Sequence, residues 1–205
     1  MFADRADAGR RLGVVVREQL SDDAPPIVLG LPRGGVPVAV HVAAALGADL
    51  DVLVVRKLGH PGNPEVAIGA IGPDGTPVFA SAAEGTGHPD LEGIRAREFA
   101  ELRRREQLYR AGRAPIDLTG VRAVLVDDGI ATGSTAIAAV RAARLLGARE
   151  VIVATPVSAP DAHRAVAAVA DALIVLVSPP DFWAVGQWYR DFRQTSDDEV
   201  VAALA

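Results

Sequence analysis

Ala8, Leu12, Val15, Val16 and Leu20 recur at the spacing of one helical face, which predicts an amphipathic helix ending before the stretch Ser21 to Pro26. The period then changes. Ile27 to Leu31 is a short apolar run closed by Pro32-Arg33-Gly34-Gly35, followed by a helical pattern from Val36 to Leu46 and a β-branched run from Val52 to Val55. The alternation returns downstream as a strand-like Val121 to Val126, a loop of Gly, Thr and Ser, a helical Thr135 to Leu146 and a strand from Val151 to Thr155. It ends with a helical Ala162 to Ala170 and a strand from Leu173 to Val177. Strands alternating with helices predict an α/β fold, with a mostly parallel twisted sheet, helices on both faces and right-handed crossovers. Ligands of such sheets sit at the carboxyl ends of the strands.

Between these units, residues 58–114 are rich in Gly and Pro at the start and lack the alternation, so they read as an inserted flap. Leu91 to Arg110 within it is helical in character, with Glu101 to Arg105 and Glu106 to Arg110 at a supporting four-residue spacing. Arg103, Arg104 and Arg105 are interleaved with glutamates and read as a solvated helix face rather than a nucleic-acid patch. From Asp181 onward both tryptophans join Phe182, Tyr189 and Phe192, ahead of a short helix capped near Ser196. The expected organisation is one domain over 1–205, with a core of about 24–57 and 115–180, a flap of about 58–114 and a hood at 181–205.

Composition narrows the chemistry. A chain of 205 residues that is 50% hydrophobic can bury one sizeable core. Asp4, Arg5 and Asp7 stand where a secretory signal needs its apolar stretch, and no segment approaches a membrane span, so a cytoplasmic protein without membrane contact is expected. The absence of cysteine removes disulfides, thiolate nucleophiles and cysteine-ligated zinc together. A formal net charge of −5 argues against a general nucleic-acid binder and leaves small anions allowed. Against many arginines there is a single lysine, Lys57, a compact point charge that a guanidinium cannot imitate.

The richest string is Val124-Leu125-Val126-Asp127-Asp128-Gly129-Ile130-Ala131-Thr132-Gly133-Ser134-Thr135. Its apolar half reads as a buried strand delivering Asp127 and Asp128 to the sheet edge, and its small hydroxylic half opens a helix. Unpaired N–H groups at that helix start, with the Thr132, Ser134 and Thr135 hydroxyls, can surround a phosphate. Two acids beside a bound anion need hydroxyl groups or a bridging cation to contact, and a ribose 5-phosphate with Mg²⁺ supplies both. The ordinary reading of Asp-Asp is a strand end and helix cap; the full string favours the phosphate reading. No GxxxxGK[S/T] string is present, which sets aside the nucleotide P-loop.

This string resembles the signature of the type I phosphoribosyltransferase family, which binds 5-phosphoribosyl-1-pyrophosphate (PRPP). The resemblance implies that Asp127 and Asp128 hold the ribose hydroxyls, directly or through hydrated Mg²⁺, while Ala131, Thr132, Gly133, Ser134 and Thr135 wrap the 5-phosphate. Leu31-Pro32-Arg33-Gly34-Gly35 resembles the family's pyrophosphate loop, where Gly34 and Gly35 let the backbone approach an anion and Arg33 supplies a fork. Arg56 and Lys57, read as closing the next strand, add two cations for the same group. The stretch Val55 to Ile71 is similar to a subgroup of the family whose substrates are uncharacterised, and in it Glu65, and less so His60, could reach an acceptor as acid or base. Pro180 to Phe192 loosely resembles the base-binding tail of 6-oxopurine phosphoribosyltransferases. That likeness implies stacking by Trp183, base-edge reading by the backbone of Ala184 and Val185, and approach of Asp191 to the metal. Ala131 departs from it, since 6-oxopurine enzymes usually carry an acid there, so a purine is a lean only.

The implied reaction is displacement of pyrophosphate from PRPP by a nitrogen acceptor, with Mg²⁺, Arg33, Arg56 and Lys57 neutralising the leaving group. Asp127, Asp128, Lys57 and Glu65 are the catalytic candidates. A homo-oligomer is allowed. Two alternatives stay open: a non-catalytic PRPP sensor or regulator, which the cationic loops disfavour, and a phosphohydrolase with Asp127 as nucleophile, which ranks last.

Overall fold

A computed structural model of the chain describes residues 1–20, 25–60, 62–73, 75, 77–79, 90–110, 114 and 116–205, and for 63–67, 78 and 79 the backbone alone. Helix α1 (Arg5–Gln19) leads into β1 (Ile27–Gly30), α2 (Gly35–Leu46) and β2 (Asp49–Val52). Next come β3 (Arg56–His60), β4 (Asn63–Ile71), β5 (Pro77–Phe79) and α3 (Leu91–Arg110). After it come β6 (Arg122–Val126), α4 (Ser134–Leu145), β7 (Glu150–Val157), α5 (Pro160–Ala167) and β8 (Ala172–Val177), and the chain closes with α6 (Asp197–Leu204). β1, β2, β6, β7 and β8 form a five-stranded sheet in the order β2-β1-β6-β7-β8, parallel at every pairing.

Side-chain alternation shows why this sheet is covered on both sides. Val28, Val124, Val126, Ile152 and Ala154 point into one core against Leu12 and Val16 of α1 and Val38, Ala39 and Val42 of α2. Their neighbours Leu29, Leu125, Val151 and Val153 point into the other, against Ala136, Ala139, Val140 and Ala143 of α4 and Ala162 and Val166 of α5. Every residue of β6 is buried, as a central parallel strand requires. Each such aliphatic side chain contributes roughly 1.5–3 kcal/mol by leaving water, so burial on both faces fixes the register of β6 and with it the position of Asp127.

Chain order places the site. From β1 the chain moves outward to β2, and from β6 it moves the other way to β7 and β8, so the loops after β1 and β6 diverge at the switch point of the sheet. Both loops were marked by their glycines in the sequence.

Three expectations need correction. The strand anticipated at Val52 to Val55 is observed at Asp49–Val52; Leu53 still donates to the Gly30 carbonyl at 3.1 Å, after which the chain leaves the sheet. Arg56 and Lys57 therefore open β3, a strand of a separate antiparallel sheet, β3-β4-β5, instead of closing β2. Arg110 acts on Glu106 through its charge, but its hydrogen bonds go outside the helix. It is buried, and its Nη1 donates to both carboxylate oxygens of Asp51 at 3.0 Å, because the end of α3 docks beside β2. Among the described residues, no helix is long and apolar enough to cross a membrane.

Candidate functional site

The loop after β6 is pinned at its middle and open at its end. Ile130 donates to the Val157 carbonyl at 2.9 Å and accepts from Ala159 at 2.8 Å, which ties the loop to the end of β7. Beyond that anchor Ala131, Thr132 and Thr135 are exposed. Gly133 takes φ +82°, a left-handed conformation that glycine adopts without steric cost, and turns the chain into α4. α4 has no side-chain cap at Gly133, and only the Ser134 N–H approaches a hydroxyl, Thr132 Oγ1, at 3.4 Å. The first-turn N–H groups have no partner within the helix and carry its positive dipole end. With Asp127 and Gly129 to Gly133 they line a cup of about 150 Å³.

Asp127 lines the cup, and Asp128 follows it with its carboxylate against Gly34. Asp127 Oδ1 accepts from the Asp128 backbone N–H at 2.9 Å. Burial, and then the charge of Asp128 beside it, hold the Asp127 carboxyl well above the ordinary carboxylate range. Burial also raises Asp128, against the opposing pull of Arg5. Arg5 Nε donates to Asp128 Oδ2 at 2.8 Å, with the two side chains only 12% and 13% exposed. Sequence reasoning missed Arg5, and no local signal could have found it, because its partner lies 123 positions away.

The loop after β1 packs directly on this pair. A Cβ at Gly34 would fall on the Asp128 carboxylate, 2.7 Å from its carbon, and one at Gly35 would lie 2.9 Å from the Asp127 Cα. The Pro32–Arg33 peptide is cis. Arg33 Nη1 lies 3.7 Å from Asp197 Oδ1 of α6, and that oxygen also accepts from the Tyr109 hydroxyl at 2.6 Å. Burial, then the bond to Asp197, push the Tyr109 hydroxyl up to about 12.

Beside this loop opens a cleft of about 510 Å³ lined by Pro32, Arg56, Lys57, His60, Arg97, Glu98, Arg105 and Thr135, among others. Thr135 also lines the phosphate-sized cup, so cup and cleft adjoin at that residue. Arg56 Nη2 pairs with Glu98 Oε2 at 2.6 Å. His60 Nδ1 accepts from the Gly62 N–H at 3.0 Å, which gives it a turn-forming contact. Arg105, expected on a solvated face, is 24% exposed and reaches the cleft while paired with Glu101 at 2.8 Å. Arg97 is thus a cleft residue that the sequence did not single out, and Arg105 one that it placed on a solvated face. Glu65 lies on β4, and its side chain falls outside the described residues.

The hood folds back over the same edge. Val185 packs so closely on Gly129 that a Cβ there would lie 2.7 Å from its Cγ2, and Tyr189 Oη donates to the Asp128 carbonyl at 2.6 Å. Ala184 is exposed, and Trp183 is 89% exposed, so Trp183 is not a core residue. Asp191, in contrast, lies in another small pocket with Asp4, Arg5, Arg193 and Glu199, and its side chain accepts from the Arg193 N–H at 3.1 Å. The hood therefore brings Val185 to the cup and leaves Asp191 elsewhere. Among the described residues no three acidic or histidine side chains converge on an ion position. Two adjacent carboxylates fit Mg²⁺ in one manner, with the remaining oxygens coming from water and from the ligand itself.

Known proteins resemble this chain in sequence and in fold. Residues 4–193 match the phosphoribosyl transferase domain. The chain is 52% identical over its whole length to a Mycobacterium tuberculosis protein provisionally named phosphoribosyl transferase Rv0571c, and it spans 46% of that relative. The crystal structure of TT1426 from Thermus thermophilus superposes with a TM-score of 0.89 at 43% identity, covering 99% of this chain and 97% of that one. A hypoxanthine phosphoribosyltransferase of Staphylococcus aureus shares the fold at a TM-score of 0.51 and 11% identity, covering 87% of this chain and 74% of its own. A match across nearly the whole chain places this protein in the phosphoribosyl transferase family.

Proposed function

We propose that this chain binds PRPP together with Mg²⁺ and transfers its phosphoribosyl group to a nitrogen acceptor. The observation that carries the reading is the adjacency of three parts on one sheet edge: an anion-sized cup, a carboxylate pair and a cationic cleft that meets the cup at Thr135. PRPP presents a terminal phosphate, a diol and a diphosphate in that order. The cup would take the 5-phosphate on the first-turn amides of α4 and on the Thr132, Ser134 and Thr135 hydroxyls. Asp127 and Asp128 would accept from the ribose hydroxyls. Gly34 and Gly35 would admit the diphosphate close to the backbone, with Arg33, Arg56 and Lys57 around it.

In the reaction the bond from the anomeric carbon to pyrophosphate oxygen breaks, and oxygen leaves with the electron pair. The acceptor nitrogen supplies the pair for the new C–N bond and loses a proton to base or water; Glu65 is the candidate base on β4. Bound Mg²⁺ would supply positive charge at the diphosphate and the acids. Arg33 and Arg56 already face Asp197 and Glu98, which hold both guanidinium groups at the site until a more highly charged diphosphate competes for them. Lys57 adds a point charge that builds its strongest interaction as the leaving oxygen gains charge. The exposed ring of Trp183 would stack on a planar acceptor, and the backbone of Ala184 and Val185 would read its edge. A purine fits this reading, although Ala131 supplies no acid to the site.

Calorimetric titration of the protein with PRPP and Mg²⁺, followed by assay of pyrophosphate release against a panel of nucleobases and amines, tests the proposal. Saturable binding and release with at least one acceptor are expected. Binding without release from any acceptor identifies a PRPP sensor, and failure to bind PRPP removes the reading. In an active enzyme, Lys57→Ala should lower kcat by about 30-fold, about 2 kcal/mol of transition-state stabilisation, with a smaller change in PRPP affinity. An unchanged kcat demotes Lys57 to a strand-end charge.

A further inference from the structure

We propose that Arg5 is a positioning residue for the sugar site: it holds Asp128 by one oxygen and so sets the orientation in which that acid meets a vicinal diol. The inference rests on the reading of Asp127 and Asp128 as the ribose contact, and it assigns a function to the N-terminal helix.

The guanidinium is fixed from three directions. Its Nε donates to Asp128 Oδ2 at 2.8 Å, its Nη1 donates to the Arg193 carbonyl at 2.7 Å, and its carbon lies 4.0 Å from the centre of the Phe192 ring. Phe192 is itself held 5.0 Å from the ring of Tyr189, whose hydroxyl fixes the Asp128 carbonyl. The N-terminal segment is stitched to the hood at the same place: Phe2 N–H donates to the Trp188 carbonyl at 2.7 Å, and the Asp191 N–H donates to the Ala3 carbonyl at 2.9 Å. Chain ends from opposite sides of the sequence thus converge on one acid.

The consequence is a division of oxygens. Asp128 Oδ2 is taken by Arg5 and Asp127 Oδ1 by the Asp128 N–H, at 2.8 and 2.9 Å. The two carboxyl groups also share a side-chain hydrogen bond, which raises Asp127 and lowers Asp128. Arg5 thus fixes the orientation of Asp128, the acid that would accept from a hydroxyl of the vicinal diol. A buried ion pair made only for stability is replaceable by packed apolar side chains at little cost. An arginine locked onto the acid next to the one that lines the cup instead sets the carboxylate's orientation and keeps the doubly acidic turn partly neutralised before any ligand arrives.

The test compares ribose 5-phosphate with 2-deoxyribose 5-phosphate, each with Mg²⁺, and uses inorganic pyrophosphate as a probe that has no diol. In the wild type the ribose compound should bind at least about tenfold more tightly, as expected for one charge-assisted hydrogen bond. In Arg5→Gln that preference should collapse to less than about threefold while pyrophosphate affinity stays within about twofold. Arg5→Lys should recover part of the preference, since it restores the charge without the fork. A preference unchanged in folded Arg5→Gln overturns the proposal, as does a parallel loss of pyrophosphate binding, which would make Arg5 a scaffold residue only. Should Arg5→Gln fail to fold, Phe192→Leu carries the test: it frees the guanidinium from its stacking ring, and an unaltered preference then overturns the proposal. A wild-type protein that binds neither sugar phosphate nor PRPP removes the phosphoribosyl reading itself, whereas PRPP binding by the wild type with an unaltered preference in the variants removes only the role of Arg5.

Discussion

Asp128→Asn is expected to weaken PRPP binding by about 100-fold and to abolish detectable turnover while leaving a folded protein. The asparagine has the shape of the aspartate and can still accept from Arg5 through its amide oxygen, so the N-terminal helix stays docked. What it loses is charge, and with it the charge-assisted hydrogen bonds to the sugar, worth roughly 1.5–3 kcal/mol each. At about 1.4 kcal/mol per factor of ten, one or two such bonds account for the expected change in affinity. Stability should fall as well, because Arg5 is 12% exposed and would keep a polar partner without a counter-charge. A loss of about 1–3 kcal/mol is in proportion, seen as a melting temperature lower by several degrees in a chain of this size. Calorimetry and thermal unfolding of the same preparation separate the two effects. Wild-type PRPP affinity in a folded Asp128→Asn protein would take the carboxylates out of the site.

How much of this could be seen in advance depended on the range of the interaction. Strand and helix periods are local, so the alternating units around β1 and β6 were legible, as were the helical flap segment Leu91–Arg110 and the Ser196 cap, whose Oγ accepts from the Glu199 N–H at 3.1 Å. The two loops were legible because close backbone approach and helix entry demand particular residue types. The end of β2 was not, since Leu53 and Val54 are buried and apolar like strand residues, and only the sheet edge decides where pairing stops. Charge pairing was legible only within one helix. Glu101 meets Arg105 as spacing suggests, whereas Arg110 turns to Asp51 and Arg5 to Asp128, choices made by packing between distant segments. The same limit separates Val185, which lies against Gly129 beside the cup, from Asp191, which lies one pocket away.

The second large effect is expected at Gly34, where the two loops touch. Its backbone is ordinary, φ −63° and ψ −29°, so alanine costs nothing in conformation, and the whole penalty is steric. The added methyl would overlap the Asp128 carboxylate on the side of the oxygen that Arg5 holds. The carboxylate is a short side chain gripped by Arg5, with its own carbonyl held by Tyr189, so it cannot swing aside without breaking the ion pair or displacing the loop. Gly34→Ala should therefore destabilise the fold by about 2–4 kcal/mol, combining overpacking with disruption of a buried pair. PRPP affinity should drop by more than about 100-fold, because the diol contact and the diphosphate loop are disturbed together. A double-mutant cycle identifies the cause. Asp128→Ala removes the atoms that the new methyl would strike, so adding Gly34→Ala to it should cost less than about 1 kcal/mol of further stability, while PRPP binding stays lost in both backgrounds. Additive penalties would mean that Gly34 acts through its backbone alone and that the contact between the loops is incidental.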